Sequence, residues 1–307
     1  MSDTQERASS QTSGVSHIGE MYVPYTPFEE YSQRFKRWFS MRREGGIIEV
    51  KHHLVDDPEK PAQWVYGIHK GWGQLLKLIG QDTENEVLIM SGTGDEFLTR
   101  MDPESIKTVA AMAKKDTERY LDGLYPQYRD GTDLLYNMVY DVHIPTISVI
   151  NGPSVGHTEF PLMADLTLCT PETVFQDGHF SAGVVPGDGQ HLVFNFLAGY
   201  KRANYLAYVG KGVSAETARD WGIVNEVVPL DQVMGRAWEI ARQIMQQPRA
   251  VRRLSHDMIR QPLRRALDVD FPQQFALEWY GAAATAYEPI NIAVFNDLLE
   301  RDEKDVL

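Results

Sequence analysis

A single cysteine, Cys169, stands in the whole chain, so no internal disulfide can staple it. It sits in the apolar run DLTLCT and reads as a buried, inert thiol in a reducing compartment. Long hydrophobic runs are absent too: IPTISVI is far too short to cross a bilayer, and the N-terminus has no signal-peptide core. Basic residues are in deficit, 30 Lys and Arg against 43 Asp and Glu, for a net charge of −13. The average field therefore repels phosphate backbones and anionic lipid. Without a local basic patch, that excludes nucleic acid and membrane surfaces as partners. Together these absences predict a soluble, cytoplasmic protein. Missing motifs narrow the chemistry further. No GxGxxG or GxxxxGK[ST] loop cradles a phosphate, no HExxH, CxxC or tight carboxylate cluster marks a metal site, and no GxSxG signals a serine hydrolase.

What is present is ample core material, 43% hydrophobic over 307 residues. The opening residues, 1–22, are polar and rich in Ser, Thr and Gly, and are expected to form a flexible tail. GGIIEVKHHL (45–54), NEVLIMSGTGDEF (85–97), IPTISVINGP (144–153) and ADLTLCTPETVFQ (164–176) read as strands. HKGWGQLLKLIGQD (69–82) carries Trp72, Leu75, Leu76 and Ile79 at helical spacing, and 103–116 and 129–142 are further helical stretches. Short apolar strands separated by amphipathic helices indicate an α/β fold with a mostly parallel sheet, here over 23–228. From about residue 190 the strands are expected to stop, and 229–307 reads as a helical C-terminal region. In SAETARDWG, Ser214 is a candidate N-cap and Gly222 a stop signal.

Parallel sheets bind ligands beyond the carboxyl ends of their strands, and two such ends carry glycine turns, SGTGDEF (91–97) and NGPSVGH (151–157). Each can offer backbone N–H groups to a substrate oxygen, or be an ordinary strand-to-helix turn. His157 and Asp165, eight residues apart, form the sharper pair. A carboxylate on one imidazole nitrogen would fix the tautomer while the other takes a proton from water. The alternative is a core histidine bonded to a carbonyl and an aspartate on a helix face, and Pro161 disturbs any helix between them. His69 lies in WVYGIHKGW, where Trp64, Tyr66 and Trp72 can wall an apolar cavity or make an ordinary aromatic cluster. His179 lies near Asp177 in FQDGHFSAG, in a loop assigned to the same sheet edge.

Four blocks in order, SGTGDEF, INGPSVGHTEFPLMADL, FQDGHFSAGVVPGDGQH and AETARDWGIVNEVV, resemble the crotonase (enoyl-CoA hydratase/isomerase) superfamily over about residues 27–285. The resemblance implies a crotonase-like spiral of ββα units, with one turn glycine donating an N–H to a thioester oxyanion. His157 stands where that glycine would stand. That departure is similar to a narrower branch, the β-diketone hydrolases typified by 6-oxocamphor hydrolase. Its NGPxxxHxExPxMxD stretch is matched by Asn151, Gly152, Pro153, His157, Glu159, Pro161, Met163 and Asp165, and its Trp-x4-His by Trp64 and His69. An acid of a late helix is matched by Glu278. The branch also uses a histidine in the helix before the NG strand; GTDLLYNMVYD (131–141) has none there, only Asp133, Tyr136 and Tyr140.

The resemblance therefore implies hydrolytic cleavage of a C–C bond in a cyclic β-diketone, with neither metal nor organic cofactor. His157 and Asp165 would activate water, His69 hold a carbonyl or enolate oxygen, and Glu278 return the proton. Trp64, Tyr66, Thr99, Asp133 and Tyr136 would contact the small-molecule substrate, and a homotrimer or dimer of trimers would be the assembly. A CoA-thioester hydratase, isomerase or hydrolase is the opposing enzyme reading, and a binding protein that has kept only the fold is a third.

Overall fold

The computed structural model describes residues 24–102, 104, 117–154, 156–285 and 307. The polar segment 1–22 and the helical stretch expected at 103–116 lie outside these residues, apart from Glu104. The elements are, in order, α1 (Phe28–Arg34), β1 (Phe39–Glu44), β2 (Ile47–His52), β3 (Gln63–Trp64), α2 (Tyr66–Gln81), β4 (Val87–Gly92) and β5 (Arg100–Met101). There follow α3 (Thr117–Tyr136), which ends in a π-helical turn Asn137–Asp141, then β6 (Thr146–Ile150), α4 (Glu159–Leu162), β7 (Leu166–Cys169) and β8 (Val174–Phe175). A 3-10 turn, Phe180–Ala182, leads to α5 (Gln190–Ala198), α6 (Tyr200–Val209), β9 (Val213–Ser214), α7 (Ala215–Asp220) and β10 (Glu226–Val227). Helices α8 (Leu230–Met245), α9 (Arg249–Ile259) and α10 (Gln261–Ala284) complete the described chain.

Six strands form one sheet in the order β1-β2-β4-β6-β7-β10, with β1 antiparallel to β2 and every other pair parallel. β4 and β6 are buried at every residue, as strands covered on both faces must be. One face packs under α8, where Val233, Ala237, Trp238 and Ala241 meet Ile89, Ile147 and Leu168. The opposite face carries the larger core, built from α2, α3 and the helices after β8. Strands do continue past residue 190: β9 pairs with β8, and β10 adds the sixth strand to the main sheet. Both are two residues long, too short for any periodicity to betray them. Ser214 caps α7, its Oγ accepting from Thr217 N at 3.3 Å, and Gly222 follows with φ of 79°.

The two glycine turns at the sheet's carboxyl edge are tied to each other. Asn151 Oδ1 accepts from Gly92 N at 2.9 Å, and its Nδ2 donates to Gly94 O and Glu96 O at 2.8 and 3.0 Å. A Cβ on Gly152 would collide with the Asp95 carbonyl, so the Asn-Gly pair is required for the turns to close. Among the described residues no helix is long and apolar enough to cross a membrane.

Candidate active site

The chain leaves β6 through this edge and turns at His157 with φ of 50°, the left-handed region that glycine enters freely and few other residues do. The strain, about 1–2 kcal/mol for an L-residue, is held by packing on both sides of the ring. Trp64 stacks on it with centroids 5.5 Å apart and planes 18° apart, and His69 meets it edge-on at 4.8 Å. Tyr66 packs edge-on against Trp64, continuing the wall outward. These rings border an apolar pocket completed by Trp72, Leu98, Leu134 and Phe160. It opens beyond the carboxyl ends of the strands, where an α/β sheet presents its ligands.

His157 Nδ1 lies 2.8 Å from Glu159 Oε1 and 3.6 Å from Asp188 Oδ2. Carboxylates only accept, so Nδ1 carries the hydrogen and Nε2 is the nitrogen left for the pocket. Asp188 Oδ2 is also 3.2 Å from His179 Nε2, and His179 Nδ1 is 2.9 Å from Asp177 Oδ1. One carboxylate thus bridges two imidazoles. Asp188 sits in a loop between two glycines, Gly187 and Gly189, and both permit close approach. A Cβ on Gly187 would strike the Gln274 carbonyl and lie 2.8 Å from Glu278 Cβ. Its absence lets α10 press Glu278 onto the loop, where Gly187 N donates to Glu278 Oε2 at 3.0 Å.

Charge and burial separate the titrating groups. Burial alone would depress His157, but the adjacent Glu159 carboxylate, with Asp188, outweighs it and raises the imidazole above its usual value. His179 is raised further, Asp188 and Asp177 overcoming the cost of burial. Asp188 itself is held below the usual carboxylate range because His179 outweighs its burial. Burial and the neighbouring Asp188 push Glu278 up to about 8. Burial, reinforced by His157, pulls His69 down to about 3, so it is neutral and can donate or accept at neutral pH. The cluster around Asp188 therefore holds an imidazole backed by carboxylates and a carboxylic acid that keeps its proton, the separation that acid–base chemistry requires.

Of the residues singled out from the sequence, His157, His69 and Trp64 line the pocket, Tyr66 packs on Trp64, and Glu278 lies outside the pocket lining on the Asp188 loop. Asp165 does not join them. It immediately precedes β7 and lies beside Thr146, which begins β6, at the amino end of the sheet. A parallel crossover carries the chain back along the sheet, and five residues of strand at about 3.3 Å each leave roughly 15 Å between Asp165 and the edge where His157 sits. Its Oδ2 accepts from Thr146 N at 2.8 Å, Thr146 Oγ1 at 2.9 Å and His256 Nδ1 at 2.8 Å, and its Oδ1 from Arg260 Nε at 3.1 Å. Asp133 is likewise turned away, paired with Arg129 at 2.9 Å on the outer side of α3, while its neighbour Leu134 lines the pocket. Tyr136 packs on Tyr140 and Phe271. Thr99 is buried with its hydroxyl on Glu96, one residue past the lining Leu98.

Sequence reasoning missed Asp188 and gave Glu159 and His179 no role. The signal for Asp188 was its setting, GDG, since glycines on both sides of an acid mark a backbone that must pass close to something.

Residues 71–279 match the family model for enoyl-CoA hydratase/isomerase. Among solved structures, the chain is similar to a β-diketone hydrolase from the cyanobacterium Anabaena sp. PCC 7120 bound to (S)-3-oxocyclohexyl acetic acid. The TM-score is 0.75 and the identity 30%, over 85% of this chain and 98% of that one. An enoyl-CoA hydratase/isomerase from Mycobacterium paratuberculosis shares the fold with a TM-score of 0.73 at 20% identity, over 85% and 98% of the two chains. Among characterised sequences, hydroxycinnamoyl-CoA hydratase-lyase of Pseudomonas fluorescens is 26% identical over 225 residues, 72% of this chain and 78% of that one.

Proposed function

This chain belongs to the enoyl-CoA hydratase/isomerase family of the crotonase superfamily, and from that premise we propose that it hydrolyses a C–C bond of a cyclic β-diketone. The observation that carries the reading is His157 in a left-handed turn, with Nδ1 on Glu159 and Asp188 and the ring bordering the pocket. The family resemblance implies a backbone N–H as the polarising group at such a turn. Here a side-chain base replaces it.

In this scheme His157 Nε2 takes a proton from water, and the carboxylates at Nδ1 stabilise the imidazolium. The water oxygen adds to one carbonyl carbon, and collapse of the adduct breaks the bond to the central carbon. The electron pair passes to the second carbonyl as an enolate, whose oxygen is received by a neutral His69. Glu278, protonated up to about pH 8, returns a proton to the central carbon and a keto acid results. General base assistance contributes about 10²–10⁴-fold. No step calls for an organic cofactor. The keto acid bound to the Anabaena relative has the form such a product would take.

The similarity to CoA enzymes favours the second reading, action on a CoA thioester. Incubation with a bicyclic or monocyclic 1,3-diketone in the absence of CoA separates the two: a keto acid appears under the first, and only thioesters turn over under the second. We further infer a homotrimer or dimer of trimers. Leu254 and Met258 on α9, with Val269 and Tyr280 on α10, are exposed apolar residues that a neighbouring subunit would cover. Sedimentation at a monomer mass would overturn that assembly.

A further inference from the structure

Asp188 belongs to two sets of potential metal ligands, His157–Glu159–Asp188 and His179–Asp188–Glu278, with the donor atoms of each set within 4.8 Å of one another. The contacts within them are tighter: 2.8 Å from His157 Nδ1 to Glu159 Oε1, 3.6 Å to Asp188 Oδ2, and 3.2 Å from Asp188 Oδ2 to His179 Nε2. A tetrahedral zinc ion with bonds of about 2.0–2.2 Å holds its ligand atoms about 3.3–3.6 Å apart, within this spread.

Two observations go beyond proximity. His179 is already oriented as a metal-binding imidazole, because Asp177 Oδ1 receives its Nδ1–H and turns Nε2 toward Asp188. Glu159 is 1% exposed, yet its Oε2 has no hydrogen-bond partner. A buried carboxylate oxygen without a donor calls for a proton or a cation.

We propose that His157, Glu159, His179 and Asp188 form an inhibitory site for a zinc-class dication. Mixed nitrogen and oxygen donors select zinc, cobalt or nickel over magnesium and calcium, which prefer oxygen alone. Metal on His157 Nδ1 displaces the hydrogen that the carboxylates hold, and the ring, binding as a neutral ligand, carries its one hydrogen on Nε2 instead. Nε2 then no longer accepts a proton from water. Only this consequence for turnover rests on the hydrolase reading; binding does not.

The test is equilibrium dialysis of the full chain against zinc sulfate alone, without diketone, alongside Asp177→Asn, His179→Ala, Asp188→Asn and Glu159→Gln. One saturable zinc per chain is expected, with affinity lower by at least about tenfold in His179→Ala and Asp188→Asn. Asp177→Asn, which alters the group that orients His179 through its Nδ1 and backbone N–H but is no ligand itself, should weaken binding by about 10–100-fold. Cobalt should give a visible absorption band in the wild type that His179→Ala abolishes. If Asp188→Asn does not fold, Glu159→Gln takes its place with the same expected loss. Absence of saturable binding, or equal affinity in the wild type and His179→Ala, overturns the proposal. Because the readout is bound metal, it fails or succeeds independently of whether a diketone is cleaved. In the active hydrolase, zinc should inhibit and chelation should restore turnover.

Discussion

Asp165→Asn should separate a structural carboxylate from a catalytic one. Asp165 is largely buried, and His256 and Arg260 against it have side-chain exposures of 0% and 2%. The asparagine has the same outline but can present an oxygen to only one of the two donor sets. With that oxygen toward Thr146 and His256, its NH₂ faces Arg260 Nε, donor against donor. Breaking one partner of a buried pair costs about 3–5 kcal/mol, which for a chain of this size lowers the melting temperature by roughly 10 °C. The pH dependence has a definite sign. Burial would raise this carboxyl, but Arg260 and His256 hold it below the ordinary range. The wild-type advantage is therefore complete above an unfolded value of about 3.9, and fades as pH falls below that toward the folded value. Thermal or urea unfolding of both proteins between pH 3 and pH 7 measures it. Turnover per folded molecule should stay within about threefold, since the residue lies at the far end of the sheet from the pocket. Unchanged stability with a turnover loss of about 10²-fold would refute this reasoning and return Asp165 to the reaction.

Replacing His157 by asparagine, which tolerates a left-handed backbone, should remove the base without adding strain and lower kcat by about 10²-fold or more; loss of less than about threefold would remove it from that role. The rate should climb with pH as His157 loses its proton from a raised value and decline as Glu278 loses its own near 8. Glu278→Gln should lower kcat more than it changes KM and abolish the alkaline decline, read from kcat profiles between pH 6 and pH 10. In Gly187→Ala the new methyl meets Gln274 and Glu278, so α10 must shift and kcat should fall although no titrating group has changed; an unaltered rate would show that Glu278 needs no such approach.

Much of this site was legible because each local pattern agreed with its neighbours. Predominantly apolar strands at 87–92 and 146–150 announced a parallel sheet, and the glycine turns after them located its binding edge. The misplacement of Asp165 came from reading eight residues as helical spacing. The helix there, α4, has four residues, and the chain is already starting the next parallel strand at the opposite edge. The strand after an NG turn, itself recognised in the sequence, contained the information needed to avoid that. Asp188 and His179 were harder to see. They lie 31 and 22 residues past His157, and only the packing of two loops brings them to one point. The two-residue strands β9 and β10 form by tertiary pairing, and propensity carries no trace of them.

Glu278 reaches the Asp188 loop from a helix that starts at Gln261, after the sheet and its turns in the chain. The same helix places Leu267, Phe271 and Phe275 in the main core, so the acid is positioned by the packing that completes that core. Under the proposed mechanism, the placing of that acid is set along the length of α10. Substitutions on the outer side of that helix, remote from any ligand, can thus adjust the rate by altering how firmly one carboxyl is pressed home.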